Sequence, residues 1–145
     1  DYSIVYIHLD RSKKVRETGY KGNKATAILR FRGFERPDFI IKEIKRIGNK
    51  PKVGQPVVFE VKIKNTGDAR SDPARVGYRI GGNPNLKSLP LPPMGPNTIR
   101  TVRITTELFS RAQKYRITVI ANHDHRIKEK KTDNNEKYKT FTVKK

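Results

Sequence analysis

Residues 56–65 read PVVFEVKIKN. Val57, Phe59, Val61 and Ile63 fall on one side of an extended chain, and Val58, Glu60, Lys62 and Lys64 fall on the other. Successive side chains of a strand point to opposite faces, so this period of two marks a half-buried β-strand. The pattern recurs along the chain. In RVGYRI, Val76, Tyr78 and Ile80 alternate with Arg75, Gly77 and Arg79, and in YRITVIAN, Tyr115, Ile117, Val119 and Ala121 alternate with Arg116, Thr118, Ile120 and Asn122. A further strand is predicted around Val102 and Ile104, and KTFTV closes the series with Phe141 and Val143 as its inward pair. DFIIKEIKRI is ambiguous, because Ile40, Ile41, Ile44 and Ile47 also suit one or two helical turns. Pro37 before it and the turn residues 48–51 after it favour a strand.

Between the runs lie GNKPKVGQP, NTGDARSDP, GGNPNLKSLPLPPMGPN and ANHDHRIKEKKTDNNE, clusters of the Gly, Pro, Asn and Asp that accept turn dihedrals. Short alternating strands at such spacing predict an all-β fold, either a sandwich of two antiparallel sheets or a barrel. Tyr115 stands where immunoglobulin-like sandwiches often place a tyrosine that bonds back to the preceding corner; a merely buried aromatic reads equally well.

The composition bounds the rest. The chain has 145 residues, 34% of them hydrophobic, enough for one modest domain with its own core. No apolar run approaches the roughly 20 residues of a membrane helix. The opening residues do not read as a signal peptide, and a chain starting at Asp1 reads as processed. The absence of Cys excludes disulfides, thiolate metal sites and Cys nucleophiles. Lys and Arg number 33 against 14 Asp and Glu, for a formal net charge of +19. Such a field favours a polyanion as partner, although high charge also serves solubility, and high Lys content tracks thermophily.

The segments PDFIIKEI, KVGQPVVFEVKIKNTGDARSDP, LPPMGPNTIRTVRIT and YRITVIANHDHRIKEKKTDNNE, in that order, resemble the CARDB family, the cell-adhesion-related domain of bacteria and archaea. Val53, Gly54, Val57, Phe59, Val61, Asn65 and Gly67 match its first strand and turn; Tyr115, Asp124, Ile127, Glu129, Asn134 and Asn135 match its closing segment. The resemblance implies an immunoglobulin-like antiparallel β-sandwich over residues 38–145, with residues 1–37 outside it. It also implies a non-catalytic interaction module, extracellular or on the cell surface of a prokaryote.

With that frame, the loop 121–136 is expected to be structural: Asp124, Asp133, Asn134 and Asn135 can bond nearby backbone amides, with Glu129 among the loop's fixed positions. No metal is expected there. Asp124, Glu129, Asp133 and Glu136 are interleaved with Arg126, Lys128, Lys130, Lys131 and Lys137, which leaves the segment positive. His123 and His125 form a His-x-His without a clear further ligand pair, and solvent-exposed histidines are the better reading. A nucleophile elbow, a phosphate-cradling Gly loop and a carboxylate pair in an apolar setting are all missing, so neither an enzyme nor a cofactor is expected.

DYSIVYIHLD is apolar on both faces, which a strand on an outer edge seldom needs. Pairing with ATAILRFRGF through the basic connection RSKKVRETGYKGNK makes an N-terminal hairpin within 1–37, the favoured reading because an intrachain closure costs little entropy. The sharper alternative has Ile4, Val5, Tyr6, Ile7 and Leu9 adding to the sheet of a neighbouring copy, which would make the chain a filament or surface-layer subunit.

Two basic loops are the expected polyanion contacts: Arg11, Lys13, Lys14, Arg16, Lys21 and Lys24 in the first, Lys128, Lys130 and Lys131 in the second. Lys62, Lys64, Arg75, Arg79 and Arg116 add charge on outward strand faces. Such contacts hold nucleic acid or anionic polysaccharide without reading a sequence. The alternative function is a sequence-nonspecific nucleic-acid-binding or coating protein, with Tyr20 as a stacking residue; no nucleic-acid-binding motif selects it.

Overall fold

The stretch PVVFEVKIKN lies at the centre of a sheet. The computed structural model describes residues 2–8, 24–30 and 34–145. The chain divides into two units, Asp1–Phe34 and Glu35–Lys145. In the first, β1 (Tyr2–His8) pairs antiparallel with β2 (Lys24–Arg30), in a register running from Tyr2 opposite Arg30 to His8 opposite Lys24. Ile4, Val5, Tyr6 and Ile7 are therefore paired within their own chain, in the hairpin; Leu9 lies outside the described residues.

The second unit is a sandwich of two antiparallel sheets. The first has the order β3 (Phe39–Ile47), β4 (Val58–Asn65), β7 (Ile99–Thr105), and the second β6 (Lys87–Leu91), β5 (Ala74–Ile80), β8 (Lys114–Ala121), β9 (Glu136–Thr142). The alternating apolar residues face one another: Phe59, Val61 and Ile63 of β4, Val76 of β5, and Ile117 and Val119 of β8 are fully buried. At one end the rings of Phe59, Phe109, Tyr115 and Phe141 pack edge-on, tilted and, for Tyr115 with Phe141, stacked, with centroids 4.6–5.9 Å apart. Tyr115 donates its hydroxyl to the Arg111 carbonyl at 3.1 Å, so the corner-bonding reading of this residue holds.

Two departures from simple alternation have physical causes. The helix-like spacing of Ile41 and Ile44 is a β-bulge: the register of β3 on β4 shifts between Ile41 and Glu43, which returns Ile44 to the core. KSLPL, expected to be part of a turn cluster, is instead strand β6. Its Pro90, opposite Arg75, is tolerated because β6 is an edge strand whose outer side needs no N–H for the ladder. The loop beyond it supplies Met94 to the core, fully buried.

The strands next to the ends of this unit are tied down. Lys137 and Lys139, on the inward side of β9, reach across to β3 and donate their ammonium groups to the carbonyls of Lys42 and Ile44 at 2.8 and 2.9 Å. Past β9, Lys144 makes a parallel bridge with Lys52, with Lys144 N donating to the Pro51 carbonyl and Val53 N to the Lys144 carbonyl, each at 2.9 Å.

Candidate functional site

One end of the sandwich is organised by buried amides and one buried carboxylate. Asn65 ends β4 fully buried; its Oδ1 accepts from Asp38 N and Gly67 N at 3.0 Å, and its Nδ2 donates to the carbonyls of Ala69, Met94 and Gly95 at 2.9–3.2 Å. Gly67 lies so close to the entering chain that a Cβ there would sit 2.2 Å from the Arg36 carbonyl oxygen, hence the NTG turn.

Glu129, from the β8–β9 loop, meets this corner. Its Oε2 accepts from Phe39 N and its Oε1 from the Nδ2 groups of Asn122 and Asn135, all at 2.6 Å. Burial pushes the Glu129 carboxyl above the usual carboxylate range, and the three N–H donors pull against that rise. Asn122 in turn accepts from Ile127 N at 3.1 Å, and Asn134 donates to the buried Asp38 carboxylate at 3.0 Å. Lys130 N donates to the Pro37 carbonyl, and the Lys130 ammonium sits 2.6 Å from Asp68, holding the Asp68 carboxyl below its ordinary range.

The loop residues chosen from sequence therefore divide. Glu129, Asn134 and Asn135 belong to this network, but only Glu129 accepts from a backbone amide; Asn134 donates to a carboxylate and Asn135 to the Ala121 carbonyl. Asp133 is exposed, without a side-chain hydrogen bond among the described residues, and Asp124 is ion-paired with Arg126 at 3.0 Å. Asn65 and Asp38 carry more of the corner than the sequence suggested, because their partners lie up to 96 residues away, and Asn122 adds bonds to Ile127 and Glu129 within its own loop.

His123 corrects the exposed-histidine expectation. It is half-buried: its ring covers Gly77, where a Cβ would come within 2.8 Å of it, and its Nε2 is 2.8 Å from Ser88 Oγ, which also accepts from Arg75 Nε at 2.6 Å. His125 is exposed. Among the described residues no three of His, Asp and Glu converge as metal ligands.

Of the expected polyanion contacts, Arg11, Lys13, Lys14, Arg16 and Lys21 lie outside the described residues, and Lys24 opens β2. Lys128 and Lys131 are exposed, whereas the charge of Lys130 is engaged by Asp68. A second basic surface is the outer face of the four-stranded sheet. By strand alternation it carries Arg75, Arg79, Lys114 and Arg116 against Glu136. Arg116 lies 5.1 Å over the ring of Tyr138, which is itself 61% exposed.

Two antiparallel sheets, a tyrosine at the corner and a closing loop pinned by Glu129 and paired asparagines define an immunoglobulin-like β-sandwich module. The chain belongs to the CARDB family, which matches residues 36–139, and is thus a cell-adhesion-related module in the general sense. Among solved structures, the CARDB domain of PF1109 from Pyrococcus furiosus, in complex with di-metal ions, is similar at a TM-score of 0.65 and 24% identity, covering 78% of this chain and 98% of that one. The solution structure of the same domain gives 0.63 and 23%, over 76% and 97%. A β-glucosidase from intestinal bacteria involved in saponin metabolism shares the fold at 0.53 and 14% identity; 77% of this chain matches 17% of that enzyme. No curated protein matches the sequence. No helix among the described residues is long and apolar enough to cross a membrane.

Proposed function

We propose that this chain is a non-catalytic, extracellular or cell-surface interaction module that holds an anionic polymer on the outer face of its four-stranded sheet. The observation that carries this reading is the arrangement of Arg75, Arg79, Lys114 and Arg116 on one face beside an exposed Tyr138 stacked on Arg116. Guanidinium groups take phosphate, sulfate or carboxylate, and an exposed ring adds a stacking platform. The reading moves the binding surface from the loops to the sheet, with Lys128 and Lys131 as flanking contacts.

The test is fluorescence anisotropy with single-stranded DNA and with a sulfated polysaccharide, titrated with salt. Engaging four charges gives a log–log salt slope of about −3. The Arg79→Ala, Arg116→Ala double variant loses about tenfold or more in affinity for both polymers, whereas Tyr138→Ala weakens DNA selectively if bases stack there. Equal binding by wild type and the double variant would overturn the reading. A DNA-selective outcome would favour the nucleic-acid-coating alternative, for which the exposed Tyr138 is the supporting observation.

A further inference from the structure

The β8–β9 loop contains four buried side-chain oxygens that no hydrogen-bond donor among the described residues reaches: both carboxylate oxygens of Asp124 and the amide oxygens of Asn134 and Asn135. Buried acceptors in native proteins are almost always partnered, so four in one short loop require an explanation. Reorienting the amides does not supply one. Asn135 donates its Nδ2 to the Ala121 carbonyl at 3.2 Å and to Glu129 Oε1 at 2.6 Å, and a turned amide would face both acceptors with an oxygen. Asn134 is fixed the same way by its 3.0 Å bond to Asp38. Asn135 is only 3% exposed, which leaves its Oδ1 little access to bulk water. Arg126 Nε stands 3.0 Å from Asp124 Oδ2, but not along a hydrogen-bond direction, and its side chain is 74% exposed, so it gives Asp124 a solvated ion pair and nothing more.

The fold draws the two ends of this loop together. Ala121 N donates to the Asn135 carbonyl, Asn122 and Asn135 share Glu129 Oε1, and His125 N closes the turn onto the Asn122 carbonyl, with Asp124 inside that turn. A set of oxygens that accept and cannot donate suits a hard cation. We propose that the β8–β9 loop is a calcium site in which Asp124 supplies the charge, Asn134 and Asn135 supply neutral oxygens, and water completes the shell. Calcium fits better than magnesium because it accepts irregular mixed-oxygen shells, and better than zinc because no histidine pair joins the set. Glu129 is not a ligand: three N–H donors already occupy its oxygens.

The positive charge of the loop, which argued against a cation in the sequence, is partly offset, because the Lys130 ammonium is paired with Asp68. What remains, with a single carboxylate that Arg126 already pairs, makes the site weak, in the range of about 0.1–1 mM typical of extracellular calcium modules.

The experiment is differential scanning calorimetry of the whole chain in EDTA and in calcium chloride up to about 10 mM, with magnesium chloride as control, alongside calorimetric calcium titration. Calcium raises Tm by about 3–6 °C with a concentration-dependent midpoint, and magnesium raises it less. Asp124→Ala removes the calcium-dependent shift while folding in EDTA; should it not fold, Asp124→Asn keeps the shape and weakens calcium at least tenfold. A wild-type Tm and titration both indifferent to calcium would overturn the proposal and assign the four oxygens to water. So would a calcium shift whose midpoint concentration is the same in Asp124→Asn as in the wild type.

Discussion

Glu129 is the residue on which the closing loop turns. Its carboxylate is the shared acceptor for a backbone amide of β3 and for two asparagine side chains that begin and end the loop, so its removal leaves three buried donors facing an apolar gap. An unpaired buried donor costs about 1–3 kcal/mol. Glu129→Ala is therefore expected to lower unfolding free energy by at least about 3 kcal/mol, read from denaturant midpoints with an unchanged slope. At this scale the sequence was partly legible. The resemblance singled out Glu129, Asn134 and Asn135, but it could not tell an amide that caps a turn from one that bridges to the far end of the chain. Asn65 shows why: its five partners lie on the entering strand, its own turn and the segment 94–95, and nothing local in NTGDA announces them.

At the scale of the element, the strands that alternate strictly were readable, and those that do not were readable only in part. β4 and β8 declare themselves because both sheets bury one face of them. β6 is hidden by Pro90 and by flanking turn residues, since edge position is a property of the sheet and not of the segment. β3 carries the opposite device. Its outer carbonyls at Lys42 and Ile44 are occupied by lysines from β9, and inward-reaching charges of this kind keep an edge from pairing with another molecule. Lys139→Ala should cost only about 1 kcal/mol in stability yet increase concentration-dependent association, measured by light scattering. An unchanged association behaviour would mean that the bulge alone protects the edge.

For the whole molecule, the all-β class and the family were legible from period and motif, whereas the placement of +19 charges was not, because composition counts charges without pairing them. Lys62 with Glu43 and Lys130 with Asp68 are examples of bases that the count leaves free and the fold engages. Self-assembly belongs to this scale. β1 pairs with β2, and among the described residues neither strand has a further partner, so each offers an edge that strand addition by a second copy would use. If copies join this way, deleting residues 1–10 abolishes oligomers in sedimentation velocity while the far-ultraviolet signature of the sandwich persists. Identical monomeric sedimentation before and after deletion would rule out assembly through this hairpin.

The parallel bridge between Lys52 and Lys144 bears on how this module responds to tension. Two parallel segments drawn apart by opposite chain ends slide along each other, so the bonds from Lys144 N to Pro51 and from Val53 N to Lys144 are loaded together and not one after another. Antiparallel β8 and β9 lie behind that clasp and feel the pull only after it has given way. The C-terminal segment is thereby fastened against sliding by two backbone hydrogen bonds that belong to neither sheet.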